Sequence, residues 1–191
     1  METVLSIALG IGLSAACGFR IFVPLLIVSV AAYSGQMTLS AGFEWIGTLP
    51  ALIAFATATI LEILAYYIPW LDHVLDAIAA PAAVVAGVIA SASVIADVSP
   101  LLRWTLALIG GGGIAGLVQG ATVLARLKST AFTGGLGNPV VSTAELFGSV
   151  ATSLLAILVP ILCVILILAG IVLVFFTARR VLFGKRSLKR S

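Results

Sequence analysis

Three acidic residues, Glu62, Asp72 and Asp76, fall within the short stretch Leu61–Asp76. Glu62 lies inside an apolar run, where a carboxylate can bind a proton or a cation. Asp72 and Asp76 are about one helical turn apart, a spacing at which two aspartates can hold Mg²⁺ against a phosphate. These residues are the first candidates for ion binding or for metal-assisted chemistry.

The chain around these residues is too apolar to fold in water. It has 191 residues, of which 62% are hydrophobic and 9% are charged, and its mean hydropathy is +1.28. Soluble domains carry about 25% charged residues. Several apolar runs reach the roughly 20 residues that a helix needs to cross the hydrocarbon core. We therefore expect an all-α, polytopic helical membrane protein.

The apolar runs predict about five transmembrane helices in a single domain, residues 1–178, followed by a basic tail, residues 179–191. The predicted spans are Thr3–Tyr33, Pro50–Ile68, Asp72–Ala96, Arg103–Leu124 and Val150–Phe176. We expect the last span to kink at Pro160. Broken or re-entrant segments are expected near Gly18–Pro24 and Thr133–Glu145.

Arg20 lies in the first predicted span, which is too long for one upright crossing. Thr3–Tyr33 would extend about 46 Å as a helix. Gly18 and Pro24 favour a break, which would place Arg20 beside interrupted backbone that needs a lining of protein or water. The alternative is an unbroken, tilted helix from which Arg20 snorkels to the interface. The residues alone leave both interpretations open.

Glu62 is predicted to lie roughly 10 Å inside the second span, counted from the end at Pro69. A carboxylate at that depth costs several kcal/mol unless it is paired, protonated or hydrated. Asp72 and Asp76 have two interpretations. They stabilise the start of the third span, or they share a helical face that meets Glu62 across the turn.

A glycine-rich break, Ser129–Pro139, follows the fourth span. Ser142 and Glu145 have the spacing of a capping box, so we expect a helix to start near Ser142. The alternative is a re-entrant loop that lines a pore. Its candidate residues are Thr133, Gly134, Gly135, Asn138 and Glu145.

Gly112, Gly116 and Gly120 recur every four residues in the fourth span. Small residues at this spacing allow two membrane helices to approach closely. The spacing does not show whether the partner is another helix of the chain or a second subunit. A homo-oligomer therefore stays open.

The basic residues are concentrated at the C-terminus, with six of the ten in the last thirteen positions. The positive-inside rule makes this tail cytoplasmic, and such a tail can attract anionic lipid. A nucleic-acid partner is not expected, because the basic run is short and directly follows a membrane span. Cys17 and Cys163 lack partners at metal-ligand spacing, so neither a metal nor a cofactor is expected.

Three strings of residues together form a specific pattern. They are Ala15-Ala16-Cys17-Gly18-Phe19-Arg20 with Pro24, Leu61-Glu62-Ile63 with Ile68-Pro69, Asp72 and Asp76, and Thr133-Gly134-Gly135 with Asn138-Pro139 and Glu145. With these strings the chain resembles small bacterial integral membrane proteins of the family known as domain of unknown function 4126. The resemblance covers nearly the whole chain except the tail, and it implies the bacterial inner membrane. It lends no catalytic or binding residues, because the family has no established activity.

The residues favour a small transporter or channel for an ion or small solute. In this interpretation Glu62 binds the proton or cation, and Arg20 is its counter-ion or an anion contact. Asp72 and Asp76 attract cations at the mouth. One alternative is a structural or accessory subunit in which charged pairs fix helix register. A Mg²⁺-dependent enzyme acting on a lipid head group is less favoured, so enzymatic activity is the weaker expectation.

Overall fold

The computed structural model describes residues 2–184, without the side chains of residues 69–74, 76–77, 175 and 178–184. The helices are α1 (Glu2–Phe19), α2 (Phe22–Tyr33), α3 (Leu49–Ala65), α4 (Pro69–Val94), α5 (Pro100–Leu106), α6 (Gly113–Thr133), α7 (Asn138–Leu158) and α8 (Pro160–Gly184). A short 3₁₀ helix covers Glu44–Gly47, and a π-helical segment, Ala107–Gly112, joins α5 to α6. Within the described residues the protein is entirely helical.

The outer surface of the bundle is apolar, as a protein surrounded by lipid requires. Three helices in the described residues are long and apolar enough to cross a membrane: Glu2–Phe19, Pro100–Thr133 and Asn138–Leu158. Four shorter apolar helices accompany them: Phe22–Tyr33, Leu49–Ala65, Ile78–Val94 and Pro160–Val174. The prediction of an all-α, polytopic helical membrane protein is confirmed.

Helix α1 is the centre of the bundle and packs against α4, α6, α7 and α8. It runs antiparallel to α4, because the Ser14 hydroxyl donates to the Gly87 carbonyl at 2.7 Å and Gly10 lies against Ser91. A Cβ added at Gly87 would lie 2.5 Å from the Cβ of Ala115 on α6. Small residues therefore bring α1, α4 and α6 into close contact.

The break in the first predicted span is confirmed, and the unbroken tilted helix is wrong. α1 ends at Phe19 and α2 begins at Phe22. In a continuous helix the Pro24 ring would clash with the carbonyl of Arg20 and would remove one hydrogen bond. In the structure Pro24 lies in the first turn of α2. Backbone N–H groups there have no intrahelical partner, so the missing N–H of Pro24 costs no helical hydrogen bond.

Helix α2 runs back along α1 and forms a hairpin with it. The segment after α2 lies at the end of α4, where the Ser40 N–H donates to Ser93 at 2.8 Å and its hydroxyl donates to Ile95 at 2.6 Å. That end of α4 also packs on the N-terminal half of α1. The 12 residues of α2 reach about 18 Å, less than the roughly 30 Å of a bilayer core. α2 alone is therefore too short to cross the bilayer core, and residues Arg20-Ile21 form the turn of the hairpin.

The interruption predicted after the fourth span is present but short. Helix α6 continues to Thr133, well beyond the predicted end at Leu124, and the left-handed Gly134 (φ 64°) terminates it. The next helix begins at Asn138, with Pro139 in its first turn. The helix start predicted near Ser142 is therefore wrong by about one turn, because proline suits the first turn of a helix.

The last predicted span is two helices rather than one kinked helix. α7 ends at Leu158 and α8 begins at Pro160, with Val159 between them at φ −143° and ψ 71°. Pro160 has no N–H with which to continue the helical hydrogen bonds, but it can begin a new helix. The single crossing Val150–Phe176 is therefore wrong. Residues 185–191 lie outside the described residues, so the basic tail stays a prediction.

Candidate functional site

Four ionisable side chains from different parts of the chain are buried together inside the bundle. Arg20 (2% exposed) lies in the hairpin turn, Glu62 (7%) on α3, Arg126 (3%) on α6 and Glu145 (5%) on α7. We call this group the charge cluster. When all four groups are ionised its formal charge is zero. Such balance is what burial requires, since an unpaired charge in an apolar interior is very costly.

Glu62 caps the N-terminus of α2. Its Oε1 accepts the N–H of Ile21 at 2.8 Å, and its Oε2 accepts the N–H of Phe22 at 3.1 Å. These N–H groups carry the positive end of the helix dipole and have no partner within the helix. Glu62 lies in the last turn of α3, which ends at Ala65. The carboxylate therefore joins the end of α3 to the tip of the hairpin.

Arg20 is only partly satisfied by the protein. Its Nη2 donates to the Ser142 carbonyl at 2.9 Å and also to the Ser142 hydroxyl, and it lies 3.8 Å from Glu145 Oε2. Among the described residues, Nε and Nη1 of Arg20 have no hydrogen-bond acceptor. Buried donors are almost always paired, with protein or with an ordered water or ligand. The guanidinium therefore has capacity for a further acceptor.

Arg126 and Glu145 form a direct ion pair between α6 and α7. Arg126 Nε donates to Glu145 Oε1 at 3.0 Å, and Arg126 Nη2 donates to Oε2. Two parallel hydrogen bonds between a guanidinium and a carboxylate make a strong pair with a defined orientation. The pair therefore holds the Glu145 carboxylate in its position 3.8 Å from Nη2 of Arg20.

The ring of Tyr66 contacts both arginines. The guanidinium carbon of Arg20 lies 4.0 Å from the ring centroid, and that of Arg126 lies 4.1 Å from it. Tyr66 is one helical turn after Glu62, so the two side chains lie on the same side of α3. The negative face of an aromatic ring attracts a cation. Tyr66 therefore helps two positive charges to share a small buried volume.

Most of the residues predicted around the glycine-rich break form a tight turn. The Thr133 hydroxyl donates to the Ser129 carbonyl at 2.7 Å and accepts the Gly137 N–H at 2.8 Å. Gly134 and Gly135 adopt positive φ angles of 64° and 92°. The buried Asn138 donates to the Thr130 hydroxyl at 3.1 Å. Of these loop candidates, Glu145 is the one that the structure places in the charge cluster.

The three predicted packing glycines have different surroundings. A Cβ added at Gly112 would meet Val88 at 3.0 Å, and one added at Gly116 would meet Val84 at 3.3 Å, both on α4. A Cβ at Gly120 would meet nothing within 4 Å. Gly112 and Gly116 therefore serve contact within the chain, whereas Gly120 faces open space.

Asp72 and Asp76 lie on α4, but their side chains are outside the described residues. Their predicted roles, as helix-start residues, cation attractors or a magnesium pair, stay predictions.

Sequence reasoning missed three residues of the site: Tyr66, Arg126 and Ser142. Because the predicted fourth span ends at Leu124, Arg126 lies outside it. In the structure, Arg126 and Glu145 lie equally far along the chain from the ends of the turn between Thr133 and Asn138, so antiparallel helices bring them to the same level. The predicted break, Ser129–Pro139, does not show this equal spacing.

A cavity of about 580 Å³ lies between α1, α6, α7 and α8. Its lining is almost entirely carbon and includes Phe19, Leu117, Val118, Leu155, Ile167 and Ile171. Apolar walls cannot replace the hydration shell of an ion. The lining residues of this cavity include none of the charge cluster.

The broken hairpin, the apolar exterior and the charge cluster define a polytopic helical membrane protein with a buried ionisable site. The chain belongs to the family described as "Domain of unknown function (DUF4126)", whose model matches residues 7–180. The resemblance noted from the sequence is confirmed. A search of curated proteins found no match, and neither did a search of solved structures.

Proposed function

We propose that this protein is a small transporter that moves an ion or small solute through the charge cluster. The observation that carries this proposal is the α1–α2 hairpin, in which one helix ends and another starts beside the buried Arg20 and Glu62. In this proposal the break lies at membrane depth. Transporters commonly build their substrate sites from such discontinuous helices near the membrane midplane. Ionisable residues within membrane spans are expensive and usually functional.

Glu62 is the residue that couples ion binding to the hairpin in this proposal. Its two hydrogen bonds to Ile21 and Phe22 hold the hairpin tip against α3. Protonation of the carboxylate, or its displacement, weakens both bonds and changes the charge of the cluster. One event thus couples ion binding to the position of α2.

We place the protein in the bacterial inner membrane with its C-terminus in the cytoplasm. Support comes from the family resemblance and from the basic residues of 179–191, which the positive-inside rule assigns to the cytoplasm. The same tail is suited to contact anionic lipid head groups.

Proteoliposomes containing the purified full chain test this proposal. Fluxes of H⁺, Na⁺, K⁺ and Cl⁻ are compared for wild type, Glu62→Gln and the control Glu44→Gln. Glu44 is a carboxylate in an exposed loop, where it accepts the Gly42 N–H at 2.9 Å. We expect flux in wild type and in the control, and altered flux in Glu62→Gln. Absence of all four fluxes in wild type would contradict transport of these ions.

A structural or accessory subunit is the second candidate. The bidentate Arg126–Glu145 pair favours it, because a buried ion pair can fix helix register without any transport. This function predicts no flux in the same vesicles together with a stoichiometric partner protein after mild purification from the native membrane.

A further inference from the structure

The carboxylate of Glu62 occupies a position suited to an anion. It accepts hydrogen bonds from the N–H groups of Ile21 and Phe22, which are the first backbone donors of a 12-residue helix. A helix N-terminus binds anions because its N–H groups converge and its dipole is positive there. We propose that the N-terminus of α2 is the binding site for a small monovalent anion, which replaces the Glu62 carboxylate when Glu62 takes up a proton. This inference rests on the proposed transport function.

Arg20 supports the proposal independently of the helix end. It directly precedes Ile21 and is 2% exposed, and its Nε and Nη1 have no acceptor among the described residues. The Glu62 carboxylate accepts the backbone N–H of Ile21, the residue that follows Arg20. An anion at the start of α2 would therefore face both the backbone donors and an arginine with spare donors.

The charge of the cluster sets the stoichiometry. With Glu62 and Glu145 ionised, the carboxylates balance Arg20 and Arg126. Protonation of Glu62 leaves one positive charge in excess, which one monovalent anion neutralises. A divalent anion would leave one negative charge in the apolar interior, which is costly. The site therefore moves one proton with one monovalent anion, without net charge transfer.

The proton step involves no other reactant. A proton from water binds a carboxylate oxygen of Glu62, whose resulting carboxyl group accepts the two N–H groups less strongly. The anion then accepts hydrogen bonds from these two N–H groups. After the anion is released, the proton leaves Glu62 for water, and the carboxylate again accepts the N–H groups of α2. In the described residues, Cys17, Arg20 and Glu145 interact electrostatically with Glu62, and Tyr66 and Arg126 interact with Arg20.

The first experiment measures anion-driven proton entry into proteoliposomes of the full-length protein. The vesicles contain a pH-sensitive dye, and K⁺ with valinomycin holds the membrane potential at zero. Inward gradients of chloride, nitrate or lactate are applied in turn, so that inorganic anions and a carboxylate are compared. We expect wild type and the control Glu44→Gln to acidify the lumen with at least one of these anions.

Two variants separate anion binding from proton coupling. Glu62→Gln mimics the protonated acid, so we expect it to lose anion-driven acidification at least tenfold while it still exchanges radiolabelled anion. Arg20→Gln removes the spare donors, so we expect it to lose exchange as well. Loss of exchange in a folded Glu62→Gln variant would overturn the proposal.

A binding measurement in detergent does not depend on transport. Glu62→Ala removes the carboxylate, and formate is the smallest carboxylate that can replace it. We expect formate to raise the thermal unfolding temperature of Glu62→Ala by several degrees more than that of wild type. An equal effect on both proteins would overturn the proposal.

The outcomes distinguish this inference from the proposed function. Flux of protons or cations without any dependence on the anion would keep transport and overturn the anion site. Absence of all fluxes would overturn both.

Discussion

The Glu62 carboxylate on α3 accepts the backbone N–H of Ile21 at 2.8 Å and so ties one helix to the start of another inside the bundle. The contact joins residues 41 positions apart. It also ties the ionisation of one carboxylate to the position of a helical hairpin. The following predictions examine this contact and the groups around it.

Removal of the Glu62 carboxylate should destabilise the protein. Glu62→Ala leaves the N–H groups of Ile21 and Phe22 buried without their acceptor, at a cost of about 1–3 kcal/mol for each unpaired group. Thermal unfolding in detergent measures the loss. Glu44→Ala, in an exposed loop, serves as the control and should cost much less. Equal effects of the two substitutions would contradict the capping role.

The Arg126–Glu145 pair should show strong coupling in a double-mutant cycle. Arg126→Met leaves a buried carboxylate without its main partner, which costs about 3–5 kcal/mol. Arg126→Met combined with Glu145→Leu should cost less than the two single substitutions added together. The exposed Lys128, on the same helix, provides the control substitution Lys128→Met. Simple additivity in the unfolding free energies would show that the pair is not coupled.

Tyr66 should contribute to stability through its ring. Tyr66→Phe keeps the aromatic face that contacts Arg20 and Arg126, whereas Tyr66→Leu removes it. We expect the leucine variant to be less stable than the phenylalanine variant by about 1–2 kcal/mol, the usual size of a desolvated cation–π contact. The same pair of substitutions at the more exposed Tyr67 is the control, and it should show a smaller difference.

Gly18 should tolerate no side chain, because α1 and α6 touch there. A Cβ at Gly18 would lie 2.6 Å from the Ala115 carbonyl oxygen and 2.6 Å from the Cβ of Val118. We expect Gly18→Ala to destabilise the protein by about 1–3 kcal/mol, the usual cost of overpacking. Gly113→Ala, where a Cβ meets nothing within 4 Å, should be neutral or stabilising because alanine favours a helix. A well-folded Gly18→Ala variant of unchanged stability would argue against this close contact.

The sequence by itself determined the class of protein. The scarcity of charge and the length of the apolar runs require a helical membrane protein, since the backbone must satisfy its own hydrogen bonds in lipid. Gly18 and Pro24 favoured a break in the first span but left a tilted helix open, and the tertiary structure decided for the break. Proline alone does not decide this, because α4 continues through Pro81. Glu62 and Arg20 were recognised from the sequence because a charged residue in an apolar run is costly and is usually functional.

Only the tertiary structure decided which charges meet. The partner of Glu62 is the backbone of α2, which carries no side-chain signal in the sequence. Arg126 joined the cluster because α6 extends to Thr133, and helix ends depend on local turn geometry that the apolar pattern does not encode. Tyr66 contacts two arginines that lie 46 and 60 positions away from it. Contacts of this kind depend on the packing of whole helices, and hydropathy describes each helix alone.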